Sequence, residues 1–465
     1  MSRRALKSRP RPDRGGALRI VSAPLLALFL SIAAGSELSP LIDAAKSADQ
    51  EALTALIDEG VSVDAAEADG TTALHWASYV DDVDSAELLI RAGAVVDAAN
   101  DLGATPLWTA SLNGSAAMVG RLLDAGADPN AALLSGETPL MVASRSGSVE
   151  VVELLLASGA GLTARGARGQ TALMWAVAQQ HADVVALLLD HGADIHARSD
   201  VWSQVMAVPP HGQPEYNREI PHGGNSALMF AARTGDLAST GLLLAAGADV
   251  NDADAGGVSA LVLAAHSGHS ELVQLLLEHG AEPDSVAAGF TALHAAVMRR
   301  DHQMVTALLT HGADANIPVQ TWTPTRRASQ DFHFPPALVG ATPFWLAARF
   351  SDPDLMRLLA EHGADPLFVH RADYKTTRLQ RRQESTTALM AAVRMGAGGT
   401  RGWVEPERAG LEALTLEAVK VATELGVDVN AVDTDGRAAL DAATVLGYST
   451  VVEFLVGQGA RPGSP

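Results

Sequence analysis

A threonine that opens a short apolar helix falls at Thr72, Thr105, Thr138 and Thr171, thirty-three residues apart each time. This fixed period constrains the chain more than its composition does, because a unit of that size cannot bury its own apolar surface. In residues 136–169, GETPLMVASRSGSVEVVELLLASGAGLTARGARG, the apolar positions Leu140, Ala143, Val151, Leu154 and Leu155 lie on two short helices. Only neighbouring copies can cover those faces, so the copies must stack. Gly126, Gly159 and Gly192 each follow a leucine-rich helix, where a left-handed residue is needed to end it.

The unit has a recognisable grammar. Thr138-Pro139-Leu140 opens one helix, Gly147 breaks it, Val151 to Leu156 forms a second, and Gly159-Ala160 closes the copy. On those residues and that period the unit resembles the ankyrin repeat. Further openings follow at Ser226, Ser259, Thr291, Thr342, Thr387 and the divergent Ala438, and residues 37–66 read as a degenerate capping copy. The resemblance implies an all-α ankyrin-repeat solenoid over residues 36–465, of about eleven helix–turn–helix repeats with inserted loops. With packed helices roughly 8–10 Å apart, such a stack runs to roughly 100 Å.

The N-terminus reads differently. Seven Lys and Arg residues between Arg3 and Arg19 precede the apolar run 20–34, and small residues follow from Ala33 to Ser36. That order is the pattern of a secretory signal peptide over residues 1–35, with an N-terminal anchor as the alternative. The apolar run is short for a membrane span. Arg3-Arg4 also resembles a twin-arginine export signal, with Lys7 where an apolar residue is usual. The formal charge of −21 becomes about −27 without this segment, a balance that repels nucleic acid and anionic lipid. The chain has no cysteine, which excludes disulfides, thiolate zinc sites and cysteine nucleophiles. Export without cysteine is expected of a bacterial periplasmic or secreted protein that is monomeric and has no membrane span after cleavage.

Four places break the period. The finger connection between one copy's second helix and the next copy's first gains 22 residues near 200–222, 18 near 318–338 and 12 near 368–384. The fourth insertion, 18 residues near 396–411, lies between the two helices of a single copy. The finger insertions are rich in aromatic residues and arginine, as interaction hot spots are. Trp202 and Tyr216 stand in the first, and Trp322, Arg326, Arg327, Phe332 and Phe334 in the second. These residues either contact a partner or pack over neighbouring copies.

In ankyrin domains the concave face carries the partner, and the exposed position seven residues after each opening lies on it. Here that position includes Arg145, Arg233, Arg349 and Arg394. A row of guanidinium groups suits carboxylates or an anionic ligand. Arginine is also favourable at a helix C-terminus, although lysine, which would serve there equally, is absent from the row.

Motifs for catalysis are missing: no phosphate loop, no nucleophile elbow and no His-Glu-x-x-His helix. Of the 15 histidines, His75 and His294 sit in the helix opening, while His191, His279, His311 and His362 sit in the closing turn. The resemblance makes both sets structural. No metal site and no cofactor are expected. The chain reads as a non-catalytic protein–protein interaction scaffold of the cell envelope. The alternative is a small-molecule or glycan receptor with an aromatic and arginine pocket beneath the inserted loops.

Overall fold

The computed structural model describes residues 39–207, 217–322, 334–375, 380–396 and 408–464. Among them, twenty-two helices run in eleven consecutive pairs. The first helices of the pairs are α1 (Pro40–Lys46), α3 (Ala73–Val80), α5 (Pro106–Asn113), α7 (Pro139–Ser146) and α9 (Ala172–Ala178). They continue as α11 (Ala227–Thr234), α13 (Ala260–Ser267), α15 (Ala292–Arg299), α17 (Pro343–Arg349), α19 (Ala388–Ala392) and α21 (Ala439–Leu446). The second helices are α2 (Gln50–Asp58), α4 (Val83–Arg91), α6 (Ala116–Asp124), α8 (Val149–Ala157), α10 (Ala182–Asp190) and α12 (Leu237–Ala245). After them come α14 (Ser270–Glu278), α16 (His302–Thr310), α18 (Pro353–Glu361), α20 (Arg408–Glu424) and α22 (Ser449–Gly457).

Local chemistry fixes both ends of each first helix. The opening threonine accepts a hydrogen bond from the amide three residues on, 3.2 Å for Thr105 to Trp108 and 3.3 Å for Thr138 to Met141. Pro106, Pro139 and Pro343 occupy the first turn, where a missing N–H costs nothing. Gly147 ends α7 at φ +81. In other copies Asp81 and Arg300 take the same left-handed region, at about 1 kcal/mol each. Asp82 then caps α4 by accepting from Ser85 N.

First helices pack on first helices and second on second, in two layers. The shared core is a continuous run of small and medium residues in which Leu107, Met118, Leu155, Val185, Leu276 and Leu359 have no exposed surface. Each such side chain contributes about 2 kcal/mol by leaving water. Short side chains such as Ala110, Ala143 and Ala176 let the first helices approach closely.

The stack is stapled along its turns. An Asp or Asn in one finger accepts a backbone N–H of the next: Asp97 from Asp128 at 3.0 Å, Asn130 from Gly161 at 2.7 Å, Asn251 from Glu282 at 2.8 Å. Asn316 accepts from Asp365 at 2.7 Å in the same manner, although 18 more residues separate the two. The second insertion therefore leaves the register of the stack intact.

Two insertions fold as strand pairs, which helical periodicity did not predict. β1 (Trp202–Ala207) pairs antiparallel with β2 (Asn217–His222), and β3 (His370–Lys375) with β4 (Arg381–Thr386). Each is a finger turn extended outward, so the helices on either side remain neighbours. Part of the fourth insertion became helix: α20 has 17 residues where other second helices have nine, and it packs on α17, α18, α19 and α22. No described helix is long and apolar enough to cross a membrane. The leader expected over residues 1–35 lies outside the described residues.

Candidate functional site: the face of the first helices

The first-helix face is set by a buried histidine device. A backbone N–H can only donate, so Thr72 N at 3.1 Å from Nδ1 of His75 fixes the ring proton on Nε2, which donates to Ala104 O at 2.9 Å. The ring thus ties the opening of one copy to the finger of the next. His294 repeats the arrangement, its Nδ1 accepting from Thr291 N at 3.1 Å. Its Nε2 points toward the carbonyls of Ala341 and Ile317 without a hydrogen bond of normal geometry. Burial lowers the pKa of both rings, and that of His294 falls to about 4. The four closing-turn histidines have a simpler role, in which Nδ1 of His191, His279, His311 and His362 caps the carbonyl four residues earlier at 2.8–2.9 Å. Among the described residues no group of His, Asp and Glu could hold a metal ion.

Charge is divided between the layers. The nine first helices from α3 to α19 contain no Asp or Glu, whereas their nine partners from α4 to α20 contain fourteen. The finger turns beside the first helices do carry acids, but much of that charge is engaged locally. Asp69 accepts from Thr71 N, and Asp254 from Gly256 N and Val258 N. In a chain of net charge −21, nine consecutive first helices are thus free of carboxylate and carry arginine.

Comparison with known families agrees with this geometry. A three-copy ankyrin repeat model matches residues 41–133, 107–199 and 228–319, more than half of the chain, and a single-copy model matches residues 339–371. The chain belongs to the ankyrin repeat family. A solved structure, the human ASB11 ankyrin repeat domain, is 31% identical over 53% of this chain and 99% of that one, with a TM-score of 0.44. No curated protein matches the chain.

The arginine row of this ankyrin stack is less regular than the period implies. Arg233 is exposed at the end of α11. Arg145 is half-buried, with its guanidinium 5.0 Å from the ring centre of Trp175, and desolvation lowers its pKa. Arg349 is only 6% exposed, because α17 is packed on every side, including by the lengthened α20. Its placement on an open row is corrected to an interior one. Arg394 lies beyond its helix, since α19 stops after five residues, and it occupies a left-handed turn at φ +66.

Among the described insertion aromatics, Trp202 and Phe334 are engaged with the protein itself. Trp202 is stacked on His222 with ring centres 4.6 Å apart, and Arg168 covers it at 5.4 Å. The hairpin root beside it is held by Arg165, which donates to Arg198 O at 2.6 Å, and by Arg198, which bonds the carbonyls of Gly224 and Ala253. Phe334, expected at a binding surface, is 1% exposed and packs against Phe290 at 4.9 Å and edge-on to His294. It is a core residue, because an aromatic entering between two copies finds apolar area there that it cannot find outside. Trp322 is half-buried at the margin of its insertion. Tyr216, Arg326, Arg327 and Phe332 lie outside the described residues.

In the second hairpin, His370 is buried with Nε2 donating to Val339 O at 3.1 Å and its ring 4.3 Å from that of Trp345. Tyr374 donates to Glu384 at 2.9 Å, and burial together with that carboxylate raises its pKa. Arg381 grips Asp373 with two hydrogen bonds, which hold that carboxyl at about 2.

Sequence reasoning, which reads Trp175 as a packing residue, did not place one set of residues on this face. Four positions after the opening, Trp175, Phe230 and Leu263 stand half-exposed on the first-helix face in three successive copies. Counting a second exposed position in each copy, beside the seventh, would have found them.

Proposed function

We propose that this ankyrin stack is a non-catalytic scaffold that holds a protein partner on its first-helix face and inserted loops. The observation that carries this reading is the absence of carboxylates from nine consecutive first helices in a strongly acidic chain. Like charges would otherwise repel an acidic partner across the whole surface; packing keeps acids from the buried positions of these helices, but the positions that reach solvent, such as Tyr79, Asn113, Arg145 and Arg233, carry none either. Ankyrin repeats generally mediate protein–protein contact, which agrees with this use of the face. Read with the export pattern of the N-terminus, the partner belongs to the cell envelope. The receptor alternative draws no support from the described aromatics, since Trp202 and Phe334 are covered by the protein itself.

Site-specific photo-crosslinking tests the reading. A benzophenone amino acid is placed at Ala178 or Arg233 on the first-helix face, or at Glu150 on the outer layer, in the full chain expressed in its source cells. Protein adducts from the first two positions and none from the third support the scaffold. Adducts confined to Glu150, or absent from all three, refute it.

A further inference from the structure

The first-helix face carries two parallel rows. One row holds the apolar side chains Trp175, Phe230 and Leu263, each four residues after its opening and each half-exposed. The other holds Arg145, Arg233 and His266, each seven residues after its opening, with Ala178 at the same position between the first two. Three residues of helix rise separate the rows within a copy, about 4.5 Å. Adjacent copies repeat at the packing distance of helices, about 10 Å. The 22-residue insertion does not widen that step, because α9 and α11 pack directly on one another.

These spacings describe a ligand. A polyproline II chain rises about 3.1 Å per residue with three residues per turn, so every third side chain falls on the same face about 9 Å from the last. Its intervening side chains then reach a row about 4.5 Å to the side. An α-helical ligand, roughly 10 Å across, would advance about two turns between anchors and would cover both rows with one side chain. Arg145 and Arg233 ask for carboxylates: Arg233 is exposed, no described acid pairs with it, and α7, α9, α11 and α13 have no acid of their own. Arg145 is held in place over Trp175, so its charge is positioned before any partner arrives.

Building on the scaffold reading, we propose that the segment from α7 to α13 binds an extended acidic stretch of a partner protein carrying an apolar residue at every third position. About seven residues in the polyproline II conformation span the three anchors. The β1–β2 hairpin, rooted by Arg165 and Arg198, rises from the finger between the copies of α9 and α11.

The test uses the full chain and a fluorescein-labelled nonapeptide made of three Glu-Leu-Glu units, read by fluorescence anisotropy. Two control peptides replace every Leu by Ser or every Glu by Lys. The acidic apolar peptide should bind at least tenfold more tightly than either control, and its affinity should fall as salt rises. Arg233→Glu, on an exposed side chain that leaves the melting curve unchanged, should weaken it at least tenfold. Phe230→Ala should weaken it about fivefold or more, and Trp175→Phe, which keeps the ring, should retain most of the affinity. Failure of the acidic peptide to bind at millimolar concentration would overturn the proposal, as would equal binding of the Lys peptide or indifference to Arg233→Glu. Crosslinked protein adducts from Ala178 alongside any of those results would leave the scaffold standing and remove only this ligand. Loss of adducts would remove both.

Discussion

Lowering the pH should loosen this stack through His294. The ring is wholly buried, and its Nδ1 must stay unprotonated to accept the Thr291 amide. A proton there would set two donors against each other, and the buried charge would meet no water. Desolvation therefore depresses the folded pKa to about 4, against an ordinary 6.5. The unfolded chain binds more protons between those values, so the stabilising contribution is fully present above pH 6.5 and is lost as pH falls toward 4. From the two pKa values the loss is about 2 kcal/mol at pH 5 and about 3 kcal/mol at pH 4. Urea unfolding followed by circular dichroism at pH 7.5, 6.5, 5.5 and 5.0 measures it, with His294→Asn as the comparison. The variant is less stable at pH 7.5 but should lose about 2 kcal/mol less than the native chain on going to pH 5. His75 and His370, whose pKa values burial also lowers, remain in both proteins and cancel in the difference. Identical pH dependence in the two proteins would refute the assignment of a neutral, depressed His294.

Phe334→Ala should cost about 3–5 kcal/mol, as deletion of a buried aromatic does, and a change below about 1 kcal/mol in urea unfolding would return Phe334 to the surface. Arg349→Ala should destabilise by about 1–3 kcal/mol, whereas Arg233→Ala should stay within about 0.5 kcal/mol; equal effects in thermal melts would deny that one is interior and the other exposed. Asn316→Ala removes the acceptor for Asp365 N–H and should cost about 1 kcal/mol. Hydrogen exchange should then speed up in the copies after Thr342 before it does in those preceding Asn316, and uniform exchange would contradict the staple.

The period made most of the architecture legible before any coordinates. Apolar residues at helical spacing, a capping threonine and a terminating glycine are local requirements, and they recur wherever the chain repeats them, so eleven pairs could be counted. The histidines were legible for the same reason, since the opening places each beside its own threonine. Strand pairing in the insertions was not: β1 and β2 read as aromatic loops because a hairpin rooted in existing fingers needs no alternating apolar face of its own.

The site divides along the same line. Which residues occupy the first helices, and that none from α3 to α19 is acidic, is a property of the sequence alone, because the period assigns each residue to its layer. Whether a given side chain on that face is open was decided only by the tertiary structure. Arg233 and Arg349 hold the same position in the repeat, yet one faces solvent and the other is interior, because the lengthened α20 packs on α17 while no such helix reaches α11. Phe334 and Trp202 carried the composition of a binding surface, but apolar area between copies was available to one and a cation and an imidazole to the other. Local rules fix what a repeat is, and burial, which sums over neighbours distant in the chain, fixes what it shows.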